Sequence, residues 1–235
     1  MLRELAALAL MAGVAGCAVT PSSDVSAFAE RTDANSFEVF DREVTPAQAL
    51  VLPVVHDRQT QGPACGAHAL ASVVNYWQDG QAVAGRDIYV ETPPAHEAGY
   101  SMAELVALAQ ARGLLASAVR LPEASVIEEL EQGRPVLVPV RLPSVYIQQR
   151  VLPGGGVPVI GLVRNAAIDR AGRVSELGGV GLVDHYLVVV GHDDDRFVVV
   201  EPIRGYRTIG RRKLERYRRA FGNAAIVFSA PPQNG

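Results

Sequence analysis

Between residues 184 and 201 the chain reads DHYLVVVG, then HDDD, then RFVVVE. Two β-branched runs around a short polar cluster signal a β-hairpin. Branched side chains fit a pleated surface, and Asp favours tight turns. The register follows from the loop. If Asp193, Asp194 and Asp195 form a three-residue loop, His192 faces Arg196, Leu187 faces Glu201 and His185 faces Ile203. His185, Leu187, Glu201 and Ile203 then point to one side of the sheet. Glu201 becomes a diagonal neighbour of His185, within reach of a long side chain. A two-residue loop would turn Glu201 to the other face. Asp184, adjacent to His185, points away from it.

Upstream the pattern alternates between helix and strand. Residues 49–55 read as an entering strand or extended segment. In PACGAHALASVVNYW, Leu70, Val73, Val74 and Trp77 recur at three and four after Pro63, which predicts a helix over 65–78 with Cys65 in its first turn. Ser101 and Glu104 form a capping box ahead of a helix over 101–112, closed by Gly113. A strand is expected over 114–121, a helix over 123–132 and a strand over 135–142, where Pro139 argues for an edge or a bulge. The glycine- and proline-rich stretch 143–180 reads as a long excursion with short strands around Val157–Val163. A short helix near 211–220 and a strand over 225–228 complete an α+β arrangement with the Cys helix first and the His strands last.

The N-terminal end reads as an address. Arg3 precedes an apolar run from Leu5 to Ala15, too short to cross a bilayer core. The run ends in Val14-Ala15-Gly16-Cys17, which resembles the lipobox of bacterial lipoproteins. That resemblance implies a signal peptide over 1–16 and lipid on Cys17; the polar, mixed residues that follow read as a tether over 17–47, within which 36–40 could form a strand. Ala18 in place of Asp implies the outer membrane of a bacterial envelope, facing the periplasm. The remaining parts are one domain over 48–230 and a tail over 231–235. An ordinary signal peptide is the competing reading.

Composition narrows the function. A net charge of −3 gives no reason to expect nucleic acid as a partner. The basic run Arg211–Arg219 reads as a solvated helix face, with a phosphate or anionic-lipid contact as the other reading. No G-x-x-x-x-G-K-[ST] loop is present, so no nucleotide chemistry is implied. His192-Asp193-Asp194-Asp195 reads as a solvated turn without zinc spacing, and no metal or cofactor is expected. The chain has two cysteines, Cys17 and Cys65. With lipid on Cys17, Cys65 is a free thiol in an exported setting, which invites a use for its reactivity. A Cys17–Cys65 disulfide and an inert buried cysteine are the other readings.

Thiol catalysis needs a thiolate, an imidazole, a group that orients the imidazole, and donors for an oxyanion. A helix N-terminus lowers a thiol pKa and gives Cys65 a suitable position, with Gly66 leaving room for substrate backbone. His185 is the candidate base, at the start of a strand. His68, one helical turn after Cys65, is assigned a structural or capping role, and His56, His96 and His192 are expected to be solvated.

Gln59, the Cys65-Gly66 pair, the His185-Tyr186 pair opening a hairpin, and Glu201-Pro202 sixteen residues after His185 resemble the cysteine peptidases that remove double-glycine leaders from bacteriocin precursors. The resemblance implies a papain-like fold and a peptide or protein substrate. It makes Cys65 the nucleophile, His185 the base, Glu201 the orienting acid and Gln59, six residues before Cys65, an oxyanion donor. Gln61 has the wrong spacing. Glu201 stands where the family usually has Asp or Asn, and Ala64 where it has Asp. A peptide-binding relative without catalysis and an amidase or transpeptidase of cell-wall peptides are the alternatives.

Overall fold

The computed structural model describes residues 22–24, 48–60, 62–78, 82–147 and 158–229. The signal peptide, Cys17, the 36–40 strand, Gln61 and the 231–235 tail lie outside these residues. Eight strands and six α-helices are described. The strands are β1 (Ser22–Asp24), β2 (Gln48–Val51), β3 (Leu115–Arg120), β4 (Val136–Pro143), β5 (Leu182–His192), β6 (Arg196–Glu201), β7 (Gly205–Gly210) and β8 (Ala224–Ser229). The helices are α1 (Cys65–Trp77), α2 (Gly85–Glu91), α3 (Met102–Ala111), α4 (Glu123–Glu131), α5 (Pro158–Gly178) and α6 (Arg211–Arg218). Among the described residues no helix is long and apolar enough to cross a membrane. Within the segment expected to be a tether, β1 pairs with β2.

All strand pairs are antiparallel, in the order β1-β2-β5-β4-β8-β3, with β6 on β5 and β7 on β6. β5 is the hub. Its Leu182–Val189 stretch pairs with β4, and β2 takes over at Gly191 and His192. Val136–Val140 and Leu187–Gly191 are buried without alternation, so both faces of the sheet are covered there. Pro139 therefore sits inside the sheet, opposite Tyr186, rather than on an edge.

α1 is packed on more sides than an amphipathic stripe requires. Every residue from Gly66 to Val74 is buried. The small residues at 66, 67, 69 and 71 let neighbours close in. A Cβ on Gly85 of α2 would lie 2.4 Å from the Cα of His68, a separation that only glycine allows. Gly66 serves the same end: a Cβ there would come within 3.2 Å of Leu105 and 3.3 Å of Tyr100. The sequence suggested that Gly66 admits substrate, but the space it leaves is taken by the α3 side of the core. The capping box at Ser101 forms as expected, with Glu104 N–H donating to Ser101 Oγ and Ser101 N–H donating to Glu104 Oε2.

The 143–180 reading is corrected. Instead of a loop with short strands around Val157–Val163, α5 occupies Pro158–Gly178. The branched residues 157–163 suggested strand, but the helix-forming Ala, Arg, Glu and Leu of 164–177 continue the segment as helix. Pro158 stands at the first helical position, and Gly179, at φ +63°, ends the segment. α2 and β7 were not expected from the sequence.

Candidate active site

The hairpin register that positions the site contains two compensating irregularities. Asp193 Oδ1 accepts from Asp195 N–H and Arg196 N–H, and Asp193 N–H donates to the Arg196 carbonyl. This closes the hairpin one residue later than a three-residue loop would, so His192 faces Phe197 rather than Arg196. A bulge between Val189 and Gly191 then restores the register, pairing Val189 with Val199 and Val188 with Val200. Glycine is needed at 191 because a Cβ there would lie 2.2 Å from the Leu50 carbonyl oxygen of β2. Beyond the bulge, His185 and Glu201 stand where the simpler loop would have put them.

The structure brings Cys65, His185 and Glu201 into one chain of contacts. Cys65 is a free, partly exposed thiol hydrogen-bonded to His185. His185 Nε2 lies 2.6 Å from Glu201 Oε1, which leaves Nδ1 as the ring nitrogen for the sulfur. Both partners are sealed: the His185 side chain is 4% exposed and that of Glu201 0%. The Glu201 carboxylate also accepts from Ile203 N–H at 2.9 Å and Arg204 N–H at 2.6 Å. One carboxylate therefore orients the imidazole and ties down the β6–β7 turn, which Gly205 closes at φ +81°.

Burial opposes ionisation at every member of this chain, and the contacts overcome it. Burial pushes the Cys65 thiol up, but the His185 charge and hydrogen bond, with the N–H groups of Tyr186 and Gly66, bring it below the ordinary thiol value. Burial favours neutral His185, yet Cys65 and Glu201 together raise it above the ordinary imidazole value. Burial also raises Glu201, but His185, Ile203 N–H and the Arg207 charge hold it below the usual carboxylate value. Each partner's charge favours the other's, so the contacts move the thiol toward thiolate and the ring toward imidazolium. Ala64 provides no side-chain cap to α1, so no capping side chain takes the first N–H groups of the helix, and that of Gly66 serves the sulfur.

A cleft of about 380 Å³ opens over this pair, lined by Cys65, His96, Tyr100, Met102, His185 and Phe221 among others. Tyr186 anchors its wall, donating its hydroxyl to the Tyr100 carbonyl at 2.9 Å. The lining residues Tyr100, Met102 and Phe221 were not singled out in the sequence. Tyr100 and Met102 flank the Ser101 cap and Phe221 lies about 120 residues further on, so the capping box marks the first two as a helix start but nothing in the sequence joins them to Phe221.

Gln59 is buried and is not among the residues that line this cleft. Its N–H donates to the Pro202 carbonyl at 2.8 Å and its Nε2 to the Gly62 carbonyl at 2.5 Å, while Oε1 is buried without a partner. Asp184 pairs with Arg141 on the half-exposed rim, through contacts of 2.6 and 2.9 Å. The histidines expected to be solvated divide. His96 is exposed, but His56 is partly buried and donates Nε2–H to the Pro202 carbonyl at 2.8 Å. His192 is also largely covered, its Nε2 3.8 Å from Glu131 Oε1. His68 bonds through Nδ1 to Asp57. Among the described residues no His, Cys, Asp and Glu cluster could hold a metal ion.

No family model matches the chain, and no curated protein matches it in sequence. Solved structures resemble it in fold. A C39-like peptidase from Bacillus anthracis superposes with a TM-score of 0.53 at 15% identity, over 78% of this chain and 98% of that one. The peptidase domain of Streptococcus ComA, a bifunctional ABC transporter in a quorum-sensing pathway, reaches 0.48 at 15% identity over 74% of this chain and 96% of its own. A double-glycine-motif protease from an AMS/PCAT transporter, solved with its leader peptide, reaches 0.47 at 16% identity over 76% and 91%. On the first of these likenesses, the chain has the α+β fold of the C39-like, papain-like cysteine peptidases, a Cys-bearing helix packed on an antiparallel sheet that carries the histidine.

Proposed function

We propose that this chain is a cysteine peptidase that cleaves peptide bonds through Cys65, His185 and Glu201. The observation that carries the reading is the unbroken contact from the Cys65 thiol through His185 to a fully buried carboxylate, at the floor of an open cleft. The Cys65 thiolate adds to the scissile carbonyl. The resulting oxyanion accepts from the Cys65 N–H and from Gln59, whose amide has a second hydrogen besides the one donated to Gly62. His185 gives its proton to the leaving amine, leaving a thioester. It then takes a proton from the water that hydrolyses this acyl-enzyme, and Glu201 holds the ring throughout.

The motif resemblance supports a substrate of the double-glycine type among exported peptides. The lipobox-like run at Cys17 supports an enzyme held by lipid at a bacterial membrane, facing the periplasm. The test is labelling with a thiol-directed epoxide peptidase inhibitor at neutral pH. Rapid modification of Cys65 that is lost in His185→Ala is the expected result. Slow modification indifferent to that substitution would indicate a peptide-binding relative instead.

A further inference from the structure

Residues 54–59 form a crosspiece between the two halves of the site. On one side they hold the turn after Glu201. Tyr206 donates its hydroxyl to the Val54 carbonyl, while His56 Nε2–H and Gln59 N–H both donate to the Pro202 carbonyl, each at 2.8 Å. On the other side they hold the nucleophile's helix. Asp57 N–H donates to Ser72 Oγ at 3.0 Å, and the Asp57 carboxylate bonds to His68. The Pro202 carbonyl thus ties the segment that carries Gln59 to the turn that follows Glu201.

We propose that His56 is a positioning residue for Glu201, acting through the Pro202 carbonyl. The inference rests on the peptidase reading above. The ring nitrogen facing a carbonyl must bear the proton, so Nε2–H is the donor. Its bond fixes the peptide that leads into the Ile203 and Arg204 N–H groups, and those two groups fix the Glu201 carboxylate. Glu201, Asp57 and Arg207 are the charged groups within electrostatic reach of the ring, and Gly205 leaves it space, with a Cβ there falling 3.4 Å from Nδ1. Without the His56 bond the turn keeps Gln59 N–H but loses its second tie. The carboxylate then relaxes from His185, and the thiolate–imidazolium pair weakens.

The experiment follows iodoacetamide alkylation of Cys65 against pH in the full chain, resolved from Cys17 by mass spectrometry. The variants are His56→Leu, His56→Gln and His185→Ala. Gln can present an N–H near the Nε2 position; Leu cannot. The expected result is a rise of the thiolate limb by about one pH unit in His56→Leu, roughly a tenfold loss of rate on that limb, and its return toward the wild-type position in His56→Gln. A limb unmoved in His56→Leu, or displaced equally in both variants, overturns the positioning role. If His185→Ala alone removes the limb, the peptidase reading survives that failure. If the wild-type chain shows no thiolate limb below the ordinary thiol range, both fall.

Discussion

Two histidine–carboxylate pairs lie close together in this molecule, and they differ in what surrounds them. His185 and Glu201 bridge β5 and the end of β6. His68 and Asp57 bridge α1 and the crosspiece. Both histidines are nearly buried, and both acids bond to a ring nitrogen. The difference is at the rest of the ring and around the acid. The ring of His185 also meets the Cys65 thiol under an open cleft, and its acid is fully buried with two backbone donors. His68 is pressed against Gly85, and Asp57 remains 18% exposed. A histidine with a carboxylate is therefore no signature of catalysis by itself. What matters is what the rest of the ring touches.

That contrast can be broken at several points. Cys65→Ser and His185→Ala should each lower inhibitor labelling or peptide cleavage by about a thousandfold or more, because the members of such a set act as a unit. His68→Leu should leave the rate within a few-fold, measured in the same assay. Glu201→Leu strands the His185 ring and the N–H groups of Ile203 and Arg204, and should cost about 3 kcal/mol in denaturant unfolding as well as reactivity. Gly85→Ala forces α2 away from the His68 backbone and should cost about 1–3 kcal/mol with the thiol still reactive. His68→Leu should cost about 1–2 kcal/mol, the smallest of these stability losses, since Asp57 keeps its contact with solvent.

The pH dependence sharpens the same comparison. Glu201 is held below its unfolded value, so the native state binds fewer protons across that interval. Its contribution is present above the ordinary carboxylate range near pH ~4 and is lost as pH falls through the depressed value. Acid titration of stability should therefore be shallower in Glu201→Gln than in the wild-type chain. Activity should rise as Cys65 ionises at its lowered value and fall at alkaline pH as His185, held high, loses its proton.

Much of this was legible in the residues. Local signals fixed α1, the capping box at Ser101 and the strands around Asp193–Asp195, and one of the two loop lengths considered gave the diagonal relation of His185 to Glu201. That relation survives although the loop itself was misjudged: the later closure at Asp193–Arg196 is offset by the bulge at Gly191, where β2 passes too close for any side chain. No local pattern reveals such compensation, because it depends on a strand some 140 positions upstream. α5 was lost for a different reason. Its first residues are β-branched, and local β preference there was overridden by the helix-forming stretch that follows. His56 was read as solvated because a lone histidine after a short apolar segment carries no sign of its partner, a backbone carbonyl at Pro202.

The most direct measurement is the ultraviolet absorbance of the thiolate, taken as the difference between the wild-type chain and Cys65→Ser across pH. A thiolate already present at neutral pH, and lost when His185 is replaced by Ala, is the expected outcome. A thiolate that emerges only near the ordinary thiol pKa of about 8.5, with or without His185, would contradict the paired nucleophile.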